Sequence, residues 1–150
     1  MALQTQVNLY RALGVDGAKA TPNQSIYTPI NYIAGEGGVT AGSFAFMSTD
    51  YPDTIAANNG EGTLLGFVER VISAAIYDVT TTGSLVYPEG TPLTIAVKGD
   101  YYVTAPASVA VGDSVLYSSD TGVISSEGVD SGWVYKTAGD AGDVVIISNW

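Results

Sequence analysis

Two triplets, Asp120-Thr121-Gly122 and Asp130-Ser131-Gly132, are the residues whose types and spacing come nearest to a reaction centre. Paired Asp-Thr/Ser-Gly triplets allow two carboxylates to share one proton, the acid–base device of pepsin-like hydrolysis. That device needs each triplet on its own equivalent lobe or subunit, whereas these stand ten residues apart in neighbouring turn regions. Asp120 also follows Ser118-Ser119, where an apolar strand would be required. Tight turns use Asp and Gly in any case, because Asp bonds its local backbone and Gly accepts positive φ. The triplets read as turns.

Other chemistries lack their residues. The chain has no His and no Cys, which removes Ser-His-Asp and Cys-His nucleophiles, zinc-thiolate sites and disulfides. Its acids are scattered singly, with no Asp-x-Asp-x-Asp-Gly loop for calcium. Gly35-Glu36-Gly37-Gly38 has the glycines of a phosphate cradle, but no strand precedes it and no Lys-Ser/Thr pair and helix follow. Asn23-Gln24-Ser25 is a glycosylation sequon that carries no weight without a secretory signal. The expectation is a protein that is not an enzyme, with no catalytic residue, cofactor or metal. Ten Tyr and two Trp could stack on a sugar, but aromatics are also the usual filling of β cores and interfaces, which is the better reading.

The elements around these residues are short strands and Gly-Asp turns. Val, Thr, Ser, Gly and Tyr are abundant while Leu, Lys, Arg and Glu are sparse, a strand-and-turn composition. Leu93, Ile95 and Val97 alternate with Thr94, Ala96 and Lys98, the period of a strand with one buried face. After Gly99, which marks a hairpin turn or bulge, Tyr101 and Val103 alternate with Tyr102 and Thr104. Val115 and Tyr117, Val123-Ile124, Trp133 to Tyr135 and Val144 to Ile147 follow at intervals of about ten residues, as in a barrel or sandwich. Ser43 to Met47 is a further strand, and Asn58-Asn59-Gly60 a turn. Residues 63–77 fit helical spacing, but Gly66 and the β-branched Val and Ile favour a strand over Leu64–Ser73, apolar on both faces.

The 150 residues point to one β domain at 36–150, preceded by an extended arm at 1–35. Within the arm, Leu3, Thr5, Val7 and Leu9 alternate with Gln4, Gln6, Asn8 and Tyr10, as an edge strand or as a strand formed on a partner. Residues 14–31 show no period and read as an extended connection. The net charge of −10 is uneven: residues 1–35 sum to +1 and residues 36–150, with Arg70, Lys98 and Lys136 against fourteen acids, to −11. An acidic body without a basic stripe repels phosphate backbones, so nucleic acid is not an expected partner. The acidity serves solubility, or turns the body to solvent while the arm meets a partner. No apolar run approaches the ~20 residues of a membrane-spanning helix. Met1 to Gln6 lacks the basic start and apolar core of a signal peptide, and the expectation is cytoplasmic synthesis.

From Gly66-Phe67-Val68-Glu69-Arg70 onward the chain resembles the capsid cement, or decoration, proteins of tailed bacteriophages. The resemblance continues through Pro88-Glu89-Gly90, Gly99-Asp100-Tyr101-Tyr102-Val103 and the stretch from Val109 to Gly122, and loosely includes the start Leu9-Tyr10-Arg11-Ala12-Leu13-Gly14-Val15. It is carried by the order of these elements. It implies a mainly β fold, a small β-barrel or jelly-roll-like sandwich, assembled as a homo-oligomer (dimer or trimer) on the outer capsid surface of a virion made in a bacterial host. The implied partner is the major capsid protein, whose subunits the protein would bridge to stabilise the shell. Within that reading Leu3, Val7, Leu9 and Tyr10 dock on a capsid subunit or a neighbouring copy. Arg70, the single Arg outside the arm, pairs with an acid inside the oligomer or is simply an exposed charge. The rival function is a carbohydrate- or receptor-binding β module of a phage tail or cell surface.

Overall fold

The computed structural model describes residues 14–60, 62–71 and 86–150. Among them the regular structure is all β. The first strands are β1 (Ile26–Tyr27), β2 (Ile33–Ala34), β3 (Val39–Thr40), β4 (Phe44–Met47), β5 (Ile55–Ala57) and β6 (Leu64–Val68). They are followed by β7 (Val86–Tyr87), β8 (Ile95–Lys98), β9 (Asp100–Thr104), β10 (Ser114–Tyr117), β11 (Ile124–Ser125), β12 (Val129–Tyr135) and β13 (Val144–Ser148). One sheet has the order β1-β8-β6-β4-β5-β2, a second the order β11-β10-β12-β13-β9, and β3 pairs with β7.

The six-stranded sheet curls until its ends meet. Strand β2 lies parallel to β5 on one side. On its other side the Leu93 N–H donates to Tyr32 O (2.8 Å), the Ala34 N–H to Thr91 O (2.9 Å) and the Gly90 N–H to Ala34 O (2.9 Å). Residues 90–93 lead directly into β8, so the curl is closed by the strand that also sits near its other edge. Small side chains, Ala34, Ala41, Ala45 and Ala56, share the interior with Tyr32, Val68, Leu93 and Ile95. Only a bore filled partly by alanine closes this tightly.

The outer face of the curled sheet packs on the second sheet through aromatic rings. Phe44, Phe46 and Phe67 meet Tyr101, Tyr117 and Trp133, with Val103, Val115, Val145 and Ile147 around them. Phe44 and Phe46 enter this cluster while Ala45 faces the curl interior, as strand periodicity requires. Burying each large apolar side chain contributes about 1.5–3 kcal/mol, so the rings dominate the joint between the sheets.

Several expectations need correction. The strand at 64–73 ends at Val68, and its residues 72–73 fall outside the described residues. Both faces are apolar as expected, with Phe67 in the aromatic cluster and Val68 in the curl. A register shift opposite Ala45/Phe46, however, sends Leu64 to the Phe67 side and Leu65 to the Val68 side, the reverse of simple alternation. Gly66 makes this possible: its φ is 156°, and a Cβ there would collide with the Ala96 carbonyl oxygen. Gly99 is neither a hairpin turn nor a bulge within one unit. It is the corner where the chain leaves the six-stranded sheet for the five-stranded one. Val97, placed on the buried face by its period, is 37% exposed because β8 runs past the core before that corner. Strand β13 lies between β12 and β9, with Val145 and Ile147 in the core and Val144 and Ile146 half-buried on the outer face.

The boundary at residue 35 does not separate arm from body. Residues 14–35 are laid on the sheets: the Gly17 N–H donates to Tyr102 O, the Tyr102 N–H to Ala18 O and the Ala20 N–H to Asp100 O, each at 2.9 Å. This strap extends the β9 edge, while the Arg70 N–H donating to Gly17 O (2.8 Å) ties it to the end of the other sheet. Such a segment shows no apolar period because backbone pairing, not side-chain burial, holds it.

Replacing Gly66 by Ala should destabilise the fold by about 1–3 kcal/mol through its backbone conformation alone, with the carbonyl overlap added. Urea unfolding followed by tryptophan fluorescence checks this; an unchanged midpoint would remove the close approach of β6 and β8 from the account.

Candidate interaction surfaces

The expected docking residues Leu3, Val7, Leu9 and Tyr10 lie outside the described residues. Arg70 is described and half-buried. Its backbone holds the strap, and its guanidinium charge favours ionisation of the neighbouring Tyr87, although burial, the larger effect, leaves that hydroxyl raised overall. Tyr87 Oη accepts from the Val71 N–H (2.9 Å) and donates to Glu69 O (3.0 Å), pinning the backbone around Arg70. The structure brings Arg70 to the strap, four residues from Leu13, but sets it beside no described docking residue.

Asp120-Thr121-Gly122 is a turn, as expected, whereas Asp130-Ser131-Gly132 lies inside β12, at a register shift against β10 where Gly132 takes a φ of 79°. The Gly122 N–H donates to Ser118 O (2.8 Å) and Gly122 O accepts from the Phe44 N–H (2.8 Å), which fastens the turn to the other sheet. Asp130 Oδ1 accepts from the Gly132 N–H (2.8 Å), and Ser131 Oγ donates to Val115 O (2.6 Å). Asp120 and Asp130 are both exposed, one in a turn and the other on β12. The aromatics divide as a β core does: Tyr32, Tyr87, Tyr101, Tyr117, Tyr135 and Trp133 are buried. Tyr27, Tyr51 and Trp150 are exposed on three separate elements, not in a row.

Two polar clusters escape the sequence patterns. Asp100, 8% exposed, clasps the strap: its Oδ2 accepts from Thr21 Oγ1 (2.6 Å) and Asn23 Nδ2 (2.8 Å). Burial pushes the Asp100 carboxyl up, but hydrogen bonds from Ser148, Thr21 and Asn23, with the charge of Lys136, outweigh it and hold the group below its ordinary value. Glu69 Oε2 accepts from Tyr101 Oη (2.7 Å) and Tyr27 Oη (2.8 Å), joining β9 and β1. Burial first, and then the Glu69 carboxylate, raises the Tyr101 hydroxyl far above its usual range. The available signals were an acid inside an apolar run, Glu69, and one beside a corner glycine, Asp100.

At the Asp100 clasp lies a groove of about 670 Å³, lined also by Asn23, Lys136, Ile146 and Trp150. Lys98 Nζ stands 5.3 Å from the centroid of the Trp150 ring.

Over residues 3–149 the sequence matches the phage family described as structural cement protein (E217 gp24/Pam3 gp6). The chain belongs to that family. Among solved structures, a chain from the capsid of Myoviridae Phage XM1 aligns with this cement protein at a TM-score of 0.62 and 15% identity. The alignment covers 99% of this chain and 98% of that one, so the two share a fold across their length. No curated protein matches it in sequence. The cement protein has a structural role on the phage capsid, as the resemblance implied.

The Asp100 clasp has a pH signature. A carboxyl whose folded pKa is depressed contributes stability above its unfolded pKa and loses it as pH falls through the folded value. The stability gap between wild type and Asp100→Asn should therefore be full near neutrality and close below about pH 4. Thermal melts across that range test it, and a gap independent of pH would mean the carboxylate charge contributes nothing.

Proposed function

We propose that this protein sits on the outer surface of the capsid as a homo-oligomer, bridges neighbouring major capsid subunits and catalyses no reaction. The observation that carries this reading is family membership across residues 3–149. The acid-rich body would face solvent, and many symmetric copies would sum modest contacts into a stiff shell.

Residues 1–13 are the proposed arm, with Leu3, Val7, Leu9 and Tyr10 docking on a capsid subunit or neighbouring copy. The support is positional. The strap at 17–20 already uses the β9 edge, and Gly14 lies against the Tyr102 ring, so the segment before it starts at the rim of the five-stranded sheet. Arg70, next to the strap, is the proposed partner of an acid across an oligomer contact.

Deleting residues 1–13 should leave the melting temperature within a few degrees of wild type and abolish co-sedimentation with purified capsids. Undiminished binding by the truncated protein would refute the arm's role. Truncation through residue 20 would also remove the strap and confuse the result with unfolding. Arg70→Ala should lower oligomer mass with little change in melting temperature; an unaltered mass would leave Arg70 as an ordinary surface charge.

A further inference from the structure

The turn between β4 and β5 is built as a knob. Asp50, Tyr51, Pro52 and Asp53 are all exposed, and the Tyr51 side chain is 60% exposed. The knob is stiff. Tyr51 O accepts from the N–H groups of Thr54 (3.2 Å) and Ile55 (3.0 Å), and Pro52 O accepts from Tyr32 Oη (3.3 Å), whose ring is buried inside the curl. An exposed tyrosine on a stiff turn is amphipathic and loses little conformational freedom on contact, which suits it to an interface.

The groove beside Asp100 has the opposite pattern. Ile146, Lys136 and the exposed Trp150 line it, and Lys98 reaches its margin through the Trp150 ring. Lys136 and Lys98 are two of the three cations in residues 36–150, a stretch that sums to −11. Asp100, hydrogen-bonded to Thr21 and Asn23, offsets part of the Lys136 charge, while Lys98 stands over the Trp150 ring. The groove lies on the outer face of the five-stranded sheet, whereas the knob leads into β5 near the far edge of the six-stranded sheet.

We propose that the Asp50–Asp53 knob of one copy inserts into the Trp150 groove of the next, Tyr51 over Ile146 and the two Asp carboxylates against Lys98 and Lys136. The partner is a second copy because that chain carries the complementary knob. Without such pairing, two bodies of this charge repel one another. The contact is heterologous, joining different patches of the two copies, and so closes into a ring or continues as a row along the shell. An aromatic anchor in an apolar pocket with charges at its rim is the usual form of an interface hot spot. This inference rests on the homo-oligomer part of the function proposed above.

Charge reversal and its restoration test it. Sedimentation velocity at low salt would compare wild type, Lys98→Glu/Lys136→Glu, Asp50→Lys/Asp53→Lys and the variant carrying all four changes, with melting temperatures showing that each is folded. Wild type should be oligomeric, either double variant should associate about tenfold or more weakly, and the fourfold variant should regain the wild-type mass. A monomeric wild type, a double variant that associates normally, or a folded fourfold variant that stays monomeric would each overturn the proposal. Capsid co-sedimentation of the same samples separates the two readings. A monomeric wild type that still binds capsids removes this contact and leaves the cement function standing, and one that binds no capsid removes both. Groove variants that lose only capsid binding would assign the groove to a capsid segment.

Discussion

Burial of the aromatic cluster between the sheets is the interaction on which the other features depend. Trp133 has its ring centroid 5.7 Å from Phe67, 6.0 Å from Tyr101 and 6.3 Å from Phe44, so residues from β12, β6, β9 and β4 share one desolvated volume. Edge-on and tilted ring pairs add about 0.5–1.5 kcal/mol each beyond area burial. Without that joint the curled sheet would expose Phe44, Phe46 and Phe67, and the Gly99 corner would have nothing to turn around.

Around this joint the polar contacts act as fasteners. Glu69 gathers Tyr27 and Tyr101, Asp100 gathers Thr21 and Asn23, and Asn58 holds the Thr40 N–H, Ser43 Oγ and Phe44 O. Each links segments distant in sequence that hydrophobic burial brings close but does not orient. Removing Glu69 would leave the buried Tyr101 hydroxyl without that acceptor, whereas the exposed Asn23 and Tyr27 could turn to water. The same fasteners lay residues 14–34 along the sheets, which limits any free arm to what precedes them.

A cement function asks for a rigid body with exposed, shaped contact surface and no flexible reaction site. The closed curl supplies rigidity, and the two Gly-Asp turns, Ala110–Asp113 and Asp140–Asp143, repeat the same device. In each, the Asp carboxylate accepts the N–H three residues earlier, at 2.8 and 2.9 Å. The Val109 and Gly139 backbones then bond to one another, locking the two turns side by side. A surface made of such turns presents its side chains with little conformational freedom to lose on binding.

What the sequence determined by itself is the part governed by local period and turn chemistry. The all-β class, the buried alternation of Tyr101 and Val103 or Val115 and Tyr117, and the turn at Asp120-Thr121-Gly122 all follow from near neighbours in the chain. Asp130-Ser131-Gly132, read as a turn, is instead drawn into β12 by its pairing with β10. The order of short motifs also pointed to the cement family, because those motifs mark turns and close approaches that the fold requires. Tertiary structure alone decided where the strands went. Gly99 is a corner and not a hairpin because the core it bends around is assembled from residues far away in sequence. Leu64 and Leu65 exchange faces because Gly66 must pass beneath the Ala96 carbonyl. The strap at 14–20 is held by backbone hydrogen bonds, which any side chain permits and no sequence period records. Asp100 and Glu69 matter for the same reason: their partners lie 32 to 79 residues away, and only the folded chain brings them within 3 Å.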